Sequence, residues 1–277
     1  MATAQINGAS LNYSFLGTAG PVVILMSAGR WPVVTLRPMA RVFVAHGFRA
    51  LLYDRRNCGR SSLDFQAASE ETAWADDLLS LMETVKIRRG FFLGRSSTSR
   101  IALRIARDHP DRVLGLGLVG ISGGLLARRA LVDHYFGQYE RACRVAGMSA
   151  VCELASFKSM IEVAPDARVR IEATDPVVFL AAMARWRTEF LTAPNGPVLG
   201  FSDQDLQSLS VPIGIANKHN RTHPESTLHH ALKSIPHSQL IDRPEGYTHG
   251  SELPLDLEEV AVDLVGYFRQ FQNPAIA

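Results

Sequence analysis

The sequence predicts an α/β protein built on a mostly parallel central sheet, with helices on both faces and a helical insertion after the sixth strand. Three observations carry this. Short apolar runs alternate with amphipathic stretches through the first 124 residues, a rhythm that parallel strands joined by crossover helices require. Strand signals lapse after Gly123-Gly124, where helical periodicities take over, and they return at Val211. A tight strand-to-helix turn, Gly94-Arg95-Ser96-Ser97-Thr98, sits inside the first of these regions. The chain therefore divides into residues 1–124 (first part of the core), 125–200 (a helical cap) and 201–277 (the rest of the core).

The elements follow in order. Ala4 to Phe15 alternates as a hairpin around Asn7-Gly8, a dipeptide that accepts the positive φ of a tight hairpin turn. Val22 to Met26 is apolar throughout, as a strand buried on both faces must be. Ser27 to Pro32 reads as a loop, Leu36 to His46 as a helix ended by Gly47, and Phe48 to Tyr53 as the next strand. Thr72 to Val85 carries Trp74, Leu78, Leu81, Met82 and Val85 at helical spacing. Gly90 to Leu93 is a strand, Arg100 to Asp108 a helix, and Val113 to Ile121 a strand. Leu125–Val145, Ala150–Val163 and Pro176–Leu191 each fit a helical period, and Pro165, Pro176 and Pro194 punctuate them. A strand at Val211 to Ala216, a helix at Pro224 to Ile235, a strand at Gln239 to Ile241 and a helix at Leu257 to Phe271 complete the chain.

Composition narrows the function. The 277 residues are 47% hydrophobic and 20% charged, enough for a full core without disulfides or metals. A balance of 29 basic against 27 acidic residues argues against nucleic acid or another polyanion as partner. The three cysteines, Cys58, Cys143 and Cys152, form no disulfide framework and no zinc-ligand spacing, which suits a reducing compartment. No signal-peptide pattern and no membrane-length apolar run is visible. The expectation is a cytoplasmic protein with a small-molecule substrate, no metal, no cofactor and no membrane contact. Self-association into a homo-oligomer is compatible with the sequence and not specified by it.

Ser96 is the candidate nucleophile. A G-x-S-x-G turn between strand and helix lifts its central serine out of the sheet edge, and the N–H of the next residue, Ser97, then faces the reacting carbonyl oxygen. Thr98 departs from the motif, placing a β-branched side chain where the pattern has glycine. Four further segments complete a resemblance to the α/β-hydrolase superfamily. Tyr53 to Ser62 resembles the D-x-R-G-x-G-x-S turn after the fourth strand. Leu93 to Val113 resembles the elbow, its helix and the entry to the next strand. Val211-Pro212 with Asn220-Arg221-Thr222-His223-Pro224 resembles the strand and loop that carry the triad acid. Gly246-Tyr247-Thr248-His249-Gly250 resembles the loop that carries the histidine. The likeness is nearest to the cap-bearing esterases, cofactor-free haloperoxidases and carbon–carbon bond hydrolases.

That resemblance implies a metal-independent hydrolase with Ser96 as nucleophile and His249 as base, acting on a small apolar or cyclic ester, thioester, lactone or activated carbon–carbon bond. It places Asn220 at the acid position, where an amide can orient an imidazole without neutralising it. Glu245, Asp203, Asp205 and Asp242 are the carboxylates that could replace the acid. Gly29, in Ser27-Ala28-Gly29-Arg30, is the expected second oxyanion donor. Arg95, Arg30, Trp31 and Trp186 are candidate substrate contacts. Tyr135, Phe136, Tyr139, Phe157, Met160, Phe179, Met183 and Phe190 supply the cap core, a few of them lining a pocket. Two other readings stay open: a lyase, cyclase or cofactor-free oxygenase using His249 as base, and a catalytically dead ligand-binding scaffold.

Overall fold

The computed structural model describes residues 1–194, 196–217, 219–241 and 256–272. Its eight strands form one sheet in the order β1-β2-β4-β3-β5-β6-β7-β8. They are β1 (Ala2–Ile6), β2 (Ala9–Leu16), β3 (Val22–Met26), β4 (Arg49–Tyr53), β5 (Gly90–Arg95), β6 (Val113–Val119), β7 (Ile213–Ala216) and β8 (Ser238–Leu240). The β1–β2 and β2–β4 pairs are antiparallel, and all later pairs are parallel. This is the expected mostly parallel sheet. Its central strands are apolar on both faces because both faces are covered.

One face packs on α1 (Arg37–Ala45) and α11 (Leu257–Arg269), where Phe43, Phe48, Phe91 and Phe268 stack in a single aromatic cluster. The other packs on α2 (Glu70–Thr84), α3 (Ser97–Asp108) and α10 (Glu225–Ser234). Between β6 and β7 the chain is helical: α4 (Gly124–Val132), α5 (Gln138–Cys152), α6 (Ala155–Val163), α7 (Ala167–Glu172), α8 (Pro176–Thr192) and α9 (Asp203–Gln207). This segment buries its own apolar cluster, centred on Tyr139, Phe157, Phe179 and Trp186 and closed from the core side by Phe65. Among the described residues no helix is long and apolar enough to cross a membrane.

The helix expected over Leu125–Val145 is present as a continuous helical run that ends at a kink. A π turn, Asp133–Gly137, joins α4 to α5, and α5 kinks where Gly147 takes φ 69°. The run expected over Ala150–Val163 is interrupted at Glu153-Leu154 between α5 and α6. The six residues of α7 and the five of α9 are too short to give a periodic signal. The carboxylate of Asp54 accepts from the N–H groups of Val33 (2.7 Å) and Arg60 (3.0 Å), and Asn57 takes the left-handed backbone (φ 63°) where the motif turn has glycine.

The turn after β5 is where sheet and site meet. Ser96 sits at φ 55°, ψ −111°, a conformation that costs a β-carbon residue about 1–3 kcal/mol. Gly94 allows the close approach beneath it, since a Cβ there would lie 2.5 Å from the Thr98 carbonyl oxygen. Thr98 explains its own departure from the motif. Its buried hydroxyl donates to Met26 O (2.9 Å) at the end of β3 and accepts from Arg95 N (2.7 Å) at the end of β5. Ser99 Oγ adds a contact to Gly94 O (3.1 Å) and another to Gly120 O (3.0 Å). Replacing Thr98 by the isosteric valine leaves a buried N–H and a buried carbonyl without that partner. Thr98→Val is therefore expected to lower unfolding free energy by about 1–3 kcal/mol in urea titration, with the methyl packing kept.

Candidate active site

Ser96 projects from the turn into a cavity of about 620 Å³. Its Oγ lies 2.9 Å from Nε2 of His223, in the loop between β7 and α10. Nδ1 of the same ring lies 3.2 Å from Oδ1 of Asn220. The tautomer follows from the amide. Asn220 Oδ1 also accepts from the backbone N–H of Thr222 (2.9 Å) and of His223 (3.0 Å), so the atom facing the ring is the acceptor oxygen. Nδ1 must then carry the proton and donate it to Asn220, which leaves the Nε2 lone pair to accept from the Ser96 hydroxyl. Gly120, just after β6, makes room for the ring: a Cβ there would meet the imidazole at 3.2 Å.

Among the described residues, the imidazole that meets Ser96 is that of His223. His249 lies outside the described residues, and the imidazole against Ser96 comes from the loop assigned to the acid. Asn220 is where the sequence put it, beside an imidazole nitrogen, but the imidazole is His223. The signal was present, since His223 is an ionisable ring three residues beyond the acid position. Of the alternative carboxylates, Asp203 Oδ1 contacts Nε2 of His230 (2.7 Å) and Asp205 caps α9 and pairs with Arg107 (2.9 Å). Glu245 and Asp242 lie outside the described residues.

No carboxylate among the described residues hydrogen-bonds His223. Burial, then the positive charges of Arg100 and Arg95, lower its pKa to about 4, against an ordinary value near 6.5. The ring is therefore neutral, and able to accept a proton, throughout the physiological range.

The other expected contacts divide. Ser97 begins α3, where first-turn N–H groups have no intrahelical partner. Gly29 differs from expectation: its N–H donates to Ser97 Oγ (2.8 Å) instead of facing open space, because the hydroxyl of Ser97 reaches across the narrow gap. Arg30 is corrected as a substrate contact. It is buried, paired with Glu70 at 2.5 Å, and donates to Tyr135 O (3.0 Å), tying the loop after β3 to α2 and to the helical insertion. Trp31 lines the Ser96 cavity. Trp186 instead lines a second cavity of about 330 Å³ and donates its indole N–H to Ala67 O (2.8 Å). Arg95 lines the Ser96 cavity and has no ion pair among the described residues.

No family model matches the chain. It is 28% identical over 187 residues to a probable proline iminopeptidase of Streptomyces coelicolor, covering 61% of this chain and 54% of that one. The chain spans between 25% and 54% of the length of the first curated relatives it matches. An esterase from Thermogutta terrifontis superposes with a TM-score of 0.67 at 19% identity, covering 98% of this chain and 99% of the other. The enol-lactonase from Burkholderia xenovorans LB400 superposes with a TM-score of 0.63 at 18% identity, with the same coverage.

The charge arrangement fixes the pH response of any reaction that uses His223 as base. The base is active when neutral, so activity is kept above its pKa and lost as pH falls through it. The acid limb of kcat/KM for a neutral 4-nitrophenyl ester is expected near pH 4, not near 6.5. Asn220→Asp adds a negative charge at Nδ1, favours the imidazolium, and should raise that limb by about one unit or more. A wild-type limb near pH 6.5 contradicts the assignment.

Proposed function

The chain is an α/β-hydrolase-fold protein, and we propose that it is a serine-type hydrolase that cleaves an acyl bond of a small substrate in the Ser96 cavity. One observation carries the reading: Ser96 Oγ, His223 and Asn220 form a continuous hydrogen-bonded chain, 2.9 Å and 3.2 Å long at its two links. The names of the relatives and structural neighbours support it. An esterase and a lactonase both transfer an acyl group to water, and so does a peptidase.

In this mechanism Ser96 Oγ attacks the carbonyl carbon while His223 Nε2 takes the hydroxyl proton. The tetrahedral oxyanion is held by the Ser97 N–H at the positive end of α3. The imidazolium then gives its proton to the leaving group as the carbon–heteroatom bond breaks. Water, activated by the same nitrogen, releases the acyl group and restores Ser96. Asn220 holds the ring in the productive tautomer but contributes no charge to the imidazolium. In a serine triad that loss typically costs on the order of 10⁴ in kcat, so a slow enzyme on generic esters is the expectation.

A second reading has one observation in its favour. The Gly29 N–H is engaged by Ser97 Oγ, so one of the two expected oxyanion donors is filled. A lyase, cyclase or cofactor-free oxygenase needs a neutral histidine base and forms no tetrahedral acyl intermediate for two donors to hold. A fluorophosphonate probe separates the two. The hydrolase reading expects labelling at Ser96, mapped by peptide mass spectrometry and lost in Ser96→Ala. Turnover of the physiological substrate by an unlabelled protein would move the assignment to proton-abstraction chemistry.

A further inference from the structure

The two cavities treat their arginines differently. In the smaller one, three of the four lining arginines are ion-paired, Arg30 with Glu70, Arg100 with Glu71 and Arg107 with Asp205. Among the described residues, those lining the Ser96 cavity include Arg95, His134 and His223 and no aspartate or glutamate. Arg95 is half-buried there, adjacent in sequence to the nucleophile, and makes no ion pair among the described residues. A guanidinium stays protonated at any working pH. Half-buried with no counter-charge among the described residues, it is incompletely compensated by solvent. Its planar fork fits a carboxylate through two parallel hydrogen bonds.

Building on the hydrolase reading, we propose that Arg95 recognises the substrate by binding a carboxylate that the substrate carries near its scissile acyl group. The enzyme's preferred substrates are then esters, thioesters or lactones of carboxylated acids, not neutral acyl compounds. The cavity, about 620 Å³, accommodates a molecule of this size with room for a leaving group.

This assignment also bears on the missing triad acid. The groups that face the Ser96 cavity or act on His223 are Arg95 from the end of β5, Arg100 from α3, His134 from the π turn, and Asn220 and Thr222 from its own loop. None of these described residues supplies a negative charge. A carboxylate on Arg95 opposes the positive field on His223, so a carboxylated substrate brings with it part of the charge that Asn220 lacks. A neutral substrate leaves the ring a weak base.

The test compares two activated esters, 4-nitrophenyl hydrogen glutarate and 4-nitrophenyl butyrate, on the full chain. Wild type should prefer the glutarate ester in kcat/KM. Arg95→Gln should reduce that preference by about 10–100-fold, the range a charge-assisted pair contributes. Arg95→Lys should retain part of the preference, since charge remains while the fork is lost. An unchanged preference ratio in Arg95→Gln overturns the proposal. Should Ser96→Ala hydrolyse both esters as fast as wild type, the hydrolase reading fails instead. Calorimetric binding of glutarate then decides for Arg95: at least tenfold weaker binding in Arg95→Gln supports carboxylate recognition, and equal binding refutes it.

Discussion

The site depends on one strained residue. Ser96 holds a left-handed φ that only a surrounding network can sustain. Its amide donates to Val119 O (2.9 Å), anchoring the turn to β6, and its carbonyl accepts from Ser99 N (3.0 Å), starting α3. Thr98 stitches the ends of β3 and β5 across the same point, and Gly94 lets helix and strand come together. Because these bonds join three neighbouring strand ends, the direction of the Ser96 hydroxyl is set by the sheet itself. Ser96 cannot be moved without disturbing the centre of the fold.

Around that point the electrostatics are unusual. Buried ion pairs hold the loops that frame the cavity: Arg30 with Glu70, and Arg56 with Asp77 at 2.6 Å. Removing one partner of such a pair strands a buried charge, so these arginines serve geometry and are not free to bind ligand. Arg55 does similar work, donating to Ser27 O (2.9 Å) and Gly29 O (2.6 Å) while its guanidinium lies over Trp74. The catalytic cavity has the opposite character, with cationic and neutral groups around a histidine that has an amide instead of a carboxylate behind it. A charged triad would stabilise the imidazolium permanently. In the proposed mechanism that stabilisation comes with the ligand.

Much of this was legible in the sequence. The strand–helix rhythm, the hairpin at Asn7-Gly8, the elbow at Ser96 and the helical break in the sheet pattern all depend on local periodicity and turn chemistry, and all stand in the structure. The subdivision of the helical insertion was less legible, because a π turn at residues 133–137 and a kink at Gly147 leave the apolar spacing nearly intact on either side. The pairing of Arg30 was not legible because its partner, Glu70, is forty residues away and only the folded chain brings them together. His223 was missed for a different reason. The family pattern points to a distant histidine, and a ring beside the acid position carries no distinguishing spacing. Only the three-dimensional turn of Asn220 to His223 reveals that its Nε2 reaches Ser96.

The central claim is that the proton from Ser96 passes to His223. The direct measurement is single-turnover ester cleavage by two variants, His223→Ala and His249→Ala, each verified as folded by its thermal midpoint. If the claim holds, His223→Ala lowers the rate by about 10²–10⁴-fold, the range for loss of a general base, while His249→Ala leaves most of it. A large loss in His249→Ala with near wild-type cleavage by His223→Ala contradicts the claim and returns the base to the position that the superfamily pattern assigns.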